Sequence, residues 1–264
     1  MKFVKYITAV LLLTLLNTNI ASKRNNNQPV QQKLIRDKAI LAAKHFNIGN
    51  SFLKLNKYQE TIENFDLAIK YKANYSEAYY NKGFCLGKLG QFQKAIENYD
   101  LAIKYKPDYA EAYNNKGFCL GELGQYQEEI ENYDLAIKYK ANYSEAYYNK
   151  GFCLGELGQF QEAIESYNLA IKYNPNFAKA YYNKGNCLYK LGQFQKAIEN
   201  FDLAIKYNHN YVDAYFNKGV CLDKLGQYQE AIESCNLAIK YDPNNVEAYK
   251  LINILKQEIA DIKK

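Results

Sequence analysis

SEAYYNKGFCLGKLGQFQKAIENYDLAIKYKPDY, residues Ser76 to Tyr109, decides the fold, because versions of it fill most of the chain. Further copies run from Ala110 to Tyr143, Ser144 to Phe177, Ala178 to Tyr211 and Val212 to Asn245, and a diverged one from Ala42 to Tyr75. The six copies follow one another at a fixed 34-residue period without insertions. Such a period marks an array whose units bury their apolar faces against their neighbours. Within one copy the apolar residues fall in two helical runs. Ala78, Tyr79, Leu86 and Leu89 mark the first, over repeat positions 1–14, and Gly90 follows as a helix stop. Phe92, Ala95, Ile96, Tyr99, Ala102 and Ile103 mark the second, over positions 17–30, which ends before Pro107.

Small residues fall where such helices must meet. Position 8 is Gly in all six copies: Gly49, Gly83, Gly117, Gly151, Gly185 and Gly219. Position 20 holds Thr61, Ala95, Glu129, Ala163, Ala197 and Ala231, and in an antiparallel pair it faces position 8. Position 27 is always Ala, from Ala68 to Ala238, which suits contact with the first helix of the next copy.

A helix-turn-helix unit with Gly at position 8, Ala at positions 20 and 27, aromatics at positions 4, 17 and 24 and Pro at position 32 resembles the tetratricopeptide repeat. The likeness covers residues 42–245. It implies an all-α, right-handed α-solenoid of six helix-turn-helix repeats with a C-terminal capping helix. The chain departs from the pattern in places. Tyr replaces the usual Trp at position 4, with His45 there in the first copy. Lys stands at position 7 in place of the usual Leu, as Lys82, Lys116, Lys150, Lys184 and Lys218, where its stem covers apolar surface while the amine stays wet. Glu129 at a small-residue position is expected to loosen the third repeat or to point to its edge. Pro occurs at position 32 only in alternate copies, as Pro107, Pro175 and Pro243.

Ahead of the repeats, residues 1–21 look like a signal peptide or anchor: Lys2 and Lys5 lead an apolar run from Ile7 to Leu16, and Ala21 precedes a cleavage site. That run is shorter than the roughly 20 apolar residues of a membrane span. Export to the periplasm or outside the cell is expected, or membrane anchoring if the leader is retained. Residues 22–33 read as a polar linker, and residues 34–41 as a helical extension that shields the end of the stack. Residues 246–264 read as a capping helix with a stripe of Tyr249, Ile252, Leu255, Ile259 and Ile262.

Composition narrows the function. The 264 residues are 48% hydrophobic and carry a formal charge of +6, which loss of Lys2 and Lys5 with the leader would lower. Charge is spread in rows, with Glu at position 22 and Lys at position 29 of every copy, whereas a nucleic-acid binder concentrates its basic residues on one face. Five of the six cysteines share position 10, at Cys85, Cys119, Cys153, Cys187 and Cys221, with Cys235 at position 24. Neighbouring repeats lie about 10 Å apart, beyond the roughly 7 Å that a disulfide spans. The thiols therefore read as small buried fillers. No C-x-x-C, P-loop, H-E-x-x-H or G-x-G-x-x-G is present, and His45 and His209 have no nucleophile or metal-ligand spacing around them. No cofactor, metal or catalytic activity is expected.

The resemblance implies that first helices line a groove in which positions 2, 5, 6, 9, 12 and 13 face a protein or peptide partner. Position 6 is Asn throughout: Asn47, Asn81, Asn115, Asn149, Asn183 and Asn217. An amide both donates and accepts, so this ladder could hold a peptide backbone whatever its sequence, as similar ladders do in relatives that bind extended peptides. Positions 5 and 9 are largely aromatic, with Tyr80, Tyr148 and Tyr182 at position 5 and Phe84, Phe118 and Phe152 at position 9. These rings either wall the groove or pack against neighbouring repeats. Position 13 changes sign in blocks, as Lys54, Lys88, Glu122, Glu156, Lys190 and Lys224, which bears on ligand polarity. The carboxylate clamp of chaperone-binding relatives needs basic residues at positions 2, 5 and 6, and only Lys179 matches, so that partner is disfavoured. The expected function is a non-catalytic interaction scaffold. Self-association of a structural solenoid is the alternative.

Overall fold

A computed structural model describes residues 30–262, and the leader and most of the linker lie outside them. The described residues form thirteen helices and no strand. Helix α1 spans 30–54 and pairs with α2 (Tyr58–Tyr71). Five further hairpins follow: α3 (Ser76–Lys88) with α4 (Phe92–Tyr105), α5 (Ala110–Glu122) with α6 (Tyr126–Tyr139), α7 (Ser144–Glu156) with α8 (Phe160–Tyr173), α9 (Ala178–Lys190) with α10 (Phe194–Tyr207), and α11 (Val212–Lys224) with α12 (Tyr228–Tyr241). Helix α13 (Val246–Ile262) closes the chain. Two compact units result, Met1–Pro107 and Asp108–Lys264, and the described residues of each form a stack of helical hairpins, an α-solenoid architecture.

The turn inside each hairpin follows from its glycine. Gly90 takes φ +72°, and the Gln91 amide reaches back to the Leu86 carbonyl at 2.9 Å. That left-handed stop satisfies carbonyls at the end of the first helix. In the first repeat Asn56, with φ 56°, takes the same part.

Packing between the two helices of a hairpin centres on position 8, in a way the pairing with position 20 captures only in part. A Cβ built on Gly83 would sit 2.9 Å from the Tyr99 ring and 3.2 Å from the Ala95 carbonyl oxygen. Gly49, Gly117, Gly151 and Gly185 likewise face Phe65, Tyr133, Tyr167 and Phe201. Glycine is therefore required because the ring at position 24 lies flat on the backbone of the opposite helix, while position 20 contributes its carbonyl. In the sixth repeat Cys235 replaces the ring, and its sulfur would stand 2.8 Å from a Cβ at Gly219. Ala136 and Ala146 share one buried cluster, so position 27 meets position 3 of the following repeat.

All six cysteines are free and buried. Burial pushes the Cys85 and Cys221 thiols up to about 12. Few thiolates form at neutral pH under those conditions, which fits a filling role.

Four expectations need correction. Residues 30–33, read as linker, belong to α1. The extension does not shield the stack: Val30, Leu34, Ile35 and Ile40 are all more than half exposed. Over its described residues α1 outruns α2 by about 16 Å at 1.5 Å per residue, so α2 does not reach its first turns. The capping stripe holds at its centre, where Ile252 and Leu255 are buried, whereas Tyr249 and Ile262 at its ends are exposed. Lysine at position 7 is not simply wet. Lys82, Lys150 and Lys218 each place Nζ 2.6 Å from the position-25 carboxylate of the preceding repeat, Asp66, Asp134 and Asp202. Such partly exposed pairs contribute at most about 1 kcal/mol.

Candidate interaction surface

The aromatic rings at positions 5 and 9 divide by burial. Position-5 rings pack inward, between the position-24 ring of their own repeat and the ring that closes it. Phe46 lies 5.6 Å from Phe65 and 4.7 Å from Tyr75. Tyr148 lies 6.0 Å from Tyr167 and 4.8 Å from Phe177, and Tyr182 lies 5.9 Å from Phe201 and 4.7 Å from Tyr211. Tyr80 packs on Tyr99 in the same way. Position-9 rings point outward: Phe118 is 50% and Phe152 49% exposed, while Phe84 is partly covered and lies beneath the Lys88 ammonium. The apolar wall of the surface thus comes from position 9.

The asparagine ladder ties repeats to one another. Asn81 Nδ2 donates to Asn50 Oδ1 at 3.2 Å, and Asn149 Nδ2 to Asn114 Oδ1 at 3.1 Å. Asn183 and Asn217 donate to the Tyr148 and Tyr182 hydroxyls at 3.1 Å, and Asn217 also reaches Asn186 Oδ1 at 2.9 Å. Asn115 accepts from Asn114 at 3.3 Å, and Asn47 is exposed. An amide donor spent on the neighbouring repeat holds the register between first helices, and only its remaining capacity can serve a ligand.

In the unit Asp108–Lys264, recesses lie along the first-helix face. One, about 390 Å³, lies between α5 and α7 and is lined by Phe118, Glu122, Glu129, Asn149, Phe152 and Glu156 among others. A second, about 150 Å³, lies between α7 and α9, with Phe152, Glu156, Asn183, Asn186 and Lys190 in its wall. A third, about 330 Å³, lies between α9 and α11 beside Asn186, Lys190, Asn217 and Val220. Positions 6, 9 and 13 recur in each.

Glu129 does not lie at an edge: its side chain packs inside the third repeat. It is 7% exposed, and its side chain occupies the space that Gly121 leaves: a Cβ on Gly121 would come within 2.5 Å of the Glu129 carboxylate. The Tyr133 hydroxyl donates to Glu129 Oε1 at 3.0 Å. Burial pushes the Glu129 carboxyl above the ordinary range and the negative field of Glu122 adds to this, while hydrogen bonds from Cys153 and Tyr133 pull the other way. Across the recess, burial carries the Cys153 thiol up to about 12, with Glu129 and Glu156 contributing. Tyr126 and Glu129 line this recess although the groove positions implied by the sequence do not include them. The one signal for Glu129 was its break with the small-residue rule. Among the described residues no group of His, Cys, Asp and Glu is arranged to hold a metal ion, and no helix is long and apolar enough to cross a membrane.

Two-helix units repeating every 34 residues, with a glycine beneath a ring in five of six and an alanine at each joint, define a tetratricopeptide-type stack. The chain belongs to the tetratricopeptide repeat family. Family models described as tetratricopeptide repeat match residues 76–109, 178–211 and 212–245, and 98–131 and 132–165, and one described as TPR repeat matches 154–192. No curated protein matches the chain by sequence. Among solved structures it is similar to pilF of Pseudomonas aeruginosa, at 16% identity and a TM-score of 0.70, covering 81% of this chain and 97% of that one. It is similar to PilW, a type IV pilus biogenesis factor, at 22% identity and a TM-score of 0.69, covering 80% and 98%. It is also similar to YrrB, a tetratricopeptide repeat protein with an unusual peptide-binding site, at 24% identity and a TM-score of 0.61, covering 70% and 96%. At these identities the likeness shows the fold. Proteins of this fold generally mediate protein–protein interactions and generally act as non-catalytic scaffolds.

Proposed function

We propose that this protein is a non-catalytic scaffold that holds an extended segment of a partner protein along the first-helix face of Asp108–Lys264. One observation carries the reading: Phe118 and Phe152, at the same position of successive repeats, stand half exposed beside recesses lined by repeated polar side chains. Exposed rings next to convergent polar groups are the usual make-up of a peptide-binding surface. YrrB, which shares the fold, has a peptide-binding site, and this supports the reading by analogy. The test is selection of binders from a random displayed peptide library, followed by titration of the selected peptides onto wild type and Phe118→Ala/Phe152→Ala. The double variant should weaken binding at least tenfold with helicity unchanged, since anchor rings cost about 1–4 kcal/mol each. Equal affinity for both proteins would move the site elsewhere.

A second reading is self-association through the ends. The exposed Val30, Leu34, Ile35 and Ile40 of α1 and Ile254 and Ile262 of α13 favour it. We also propose export, supported by the leader residues Lys2, Lys5 and Ile7 to Leu16. N-terminal sequencing of the native protein is expected to start at Ser22, and a chain starting at Met1 would contradict cleavage.

A further inference from the structure

The recess between α5 and α7 is set apart by charge. Glu122, Glu129 and Glu156 line it, and no Lys or Arg does, whereas Lys190 lines both recesses that follow. Among the described residues none of the three carboxylates forms an ion pair. Glu129 is the unusual member. The other five copies hold Thr or Ala at its position, and only here is a carboxylate buried in the wall, accommodated by Gly121. Phe118, Phe152 and Tyr126, each about half exposed, supply ring surface beside it.

We propose that this recess binds the cationic side chain of a lysine or arginine in the extended partner segment. Its stem lies against Phe118 and Phe152, and its charge meets Glu122, Glu129 and Glu156. The inference rests on the peptide-binding reading above and specifies the chemistry of that same surface. Charge decides between occupants. A neutral segment laid over the recess would strip water from the exposed carboxylates of Glu122 and Glu156 and leave all three without a counter-charge, and an acidic one would add repulsion. A cation relieves that cost and gains from the aromatic faces, on which a guanidinium also stacks. About 390 Å³ is room enough for one long side chain.

Binding is also coupled to pH. The titratable groups that share the recess with Glu129 are Glu122 on α5, Tyr126 and Tyr133 on α6, and Tyr148, Cys153 and Glu156 on α7, none of which is cationic. Its carboxyl holds a proton more tightly than usual in the free protein. An arriving cation favours the carboxylate, so affinity for a basic peptide should rise as pH is raised from the ordinary carboxylate range towards neutrality.

The test uses the full chain and a labelled extended heptapeptide with one central residue varied among arginine, lysine, citrulline, norleucine and glutamate. Fluorescence anisotropy gives the affinity for wild type, Glu129→Ala, Glu122→Lys and Phe118→Ala. Both charge variants install residues that other repeats carry at the same positions, so the fold is retained, and circular dichroism checks this. Arginine and lysine peptides should bind about tenfold more tightly than citrulline and norleucine ones, and each charge variant should remove most of that difference. If the neutral or acidic peptides bind as tightly, or if Glu129→Ala leaves the arginine peptide unaffected, the cation site is overturned. The groove reading survives that result provided Phe118→Ala still weakens whichever peptide binds. If no peptide binds any of the proteins at millimolar concentration, both fail.

Discussion

Phe201→Ala should lower the stability of the protein by about 3–5 kcal/mol, the range for removing a fully buried aromatic side chain. Phe201 is 0% exposed, and its ring lies on Gly185, where a Cβ would come within 2.7 Å. Its loss empties the joint between α9 and α10, and the backbones cannot close over the gap without breaking contacts on both sides. The same joint can be attacked from the other helix. Gly185→Ala pushes a methyl into the ring and should cost about 1–3 kcal/mol through overpacking. The two changes should not add, because the ring that Gly185→Ala displaces is absent from Phe201→Ala, whose cavity then admits the methyl. Chemical denaturation followed by circular dichroism measures all three variants. A stack can lose cooperativity when one repeat is weakened, so a broadened transition counts as the same effect. Additive costs would contradict the ring-on-glycine account.

The second large effect runs in the opposite direction. Glu129→Ala is expected to stabilise the free protein at neutral pH, by about 0.5–2 kcal/mol, as removal of an unfavourable natural residue commonly does. The Glu129 carboxyl is raised in the folded state, first by burial and then by Glu122. The folded protein therefore holds the Glu129 proton more tightly than the unfolded chain does. Below the unfolded carboxylate pKa both states are protonated and no penalty exists. As pH rises through the unfolded and then the raised folded value, the penalty grows to its full size. The advantage of Glu129→Ala should accordingly be largest at neutral pH and shrink as pH falls towards about 4. Asn149 lines the same recess as Tyr133, so Tyr133 keeps a polar neighbour when Glu129 is removed. A stability difference that does not change with pH would contradict this account. A binding site that costs stability when empty is expected where a charged ligand supplies the missing partner.

Much of this architecture was legible in the sequence, for physical reasons that can be named. The invariant glycine at position 8, Gly90 past the end of α3 and the alanines at position 27 are constraints of close approach and of backbone conformation, and both leave a mark in residue identity. What the 34-residue period could not show was which helix a side chain leans on. Gly83 and Ala95 match by size alone, whereas the ring of Tyr99 fills the space. Tyr148 and Phe152 are one turn apart on the same helix, yet Tyr148 is clamped between Tyr167 and Phe177 while Phe152 is half exposed. That division depends on the offset between neighbouring repeats, which periodicity within one repeat does not contain. The asparagines at position 6 were visible as a ladder, but their bonds to the preceding repeat were not. Glu129 was visible as a departure, and its meaning needed Gly121, eight residues earlier, to be seen beneath it.

The most direct test of the central claim is the position at which a bound peptide touches the protein. A selected peptide carrying a photo-reactive residue at each position in turn, cross-linked to the full chain and mapped by mass spectrometry, gives that position. The account predicts cross-links on α5, α7, α9 and α11, concentrated around Phe118, Phe152, Asn186 and Val220. Cross-links confined to the second helices, or to α1 and α13, would contradict it.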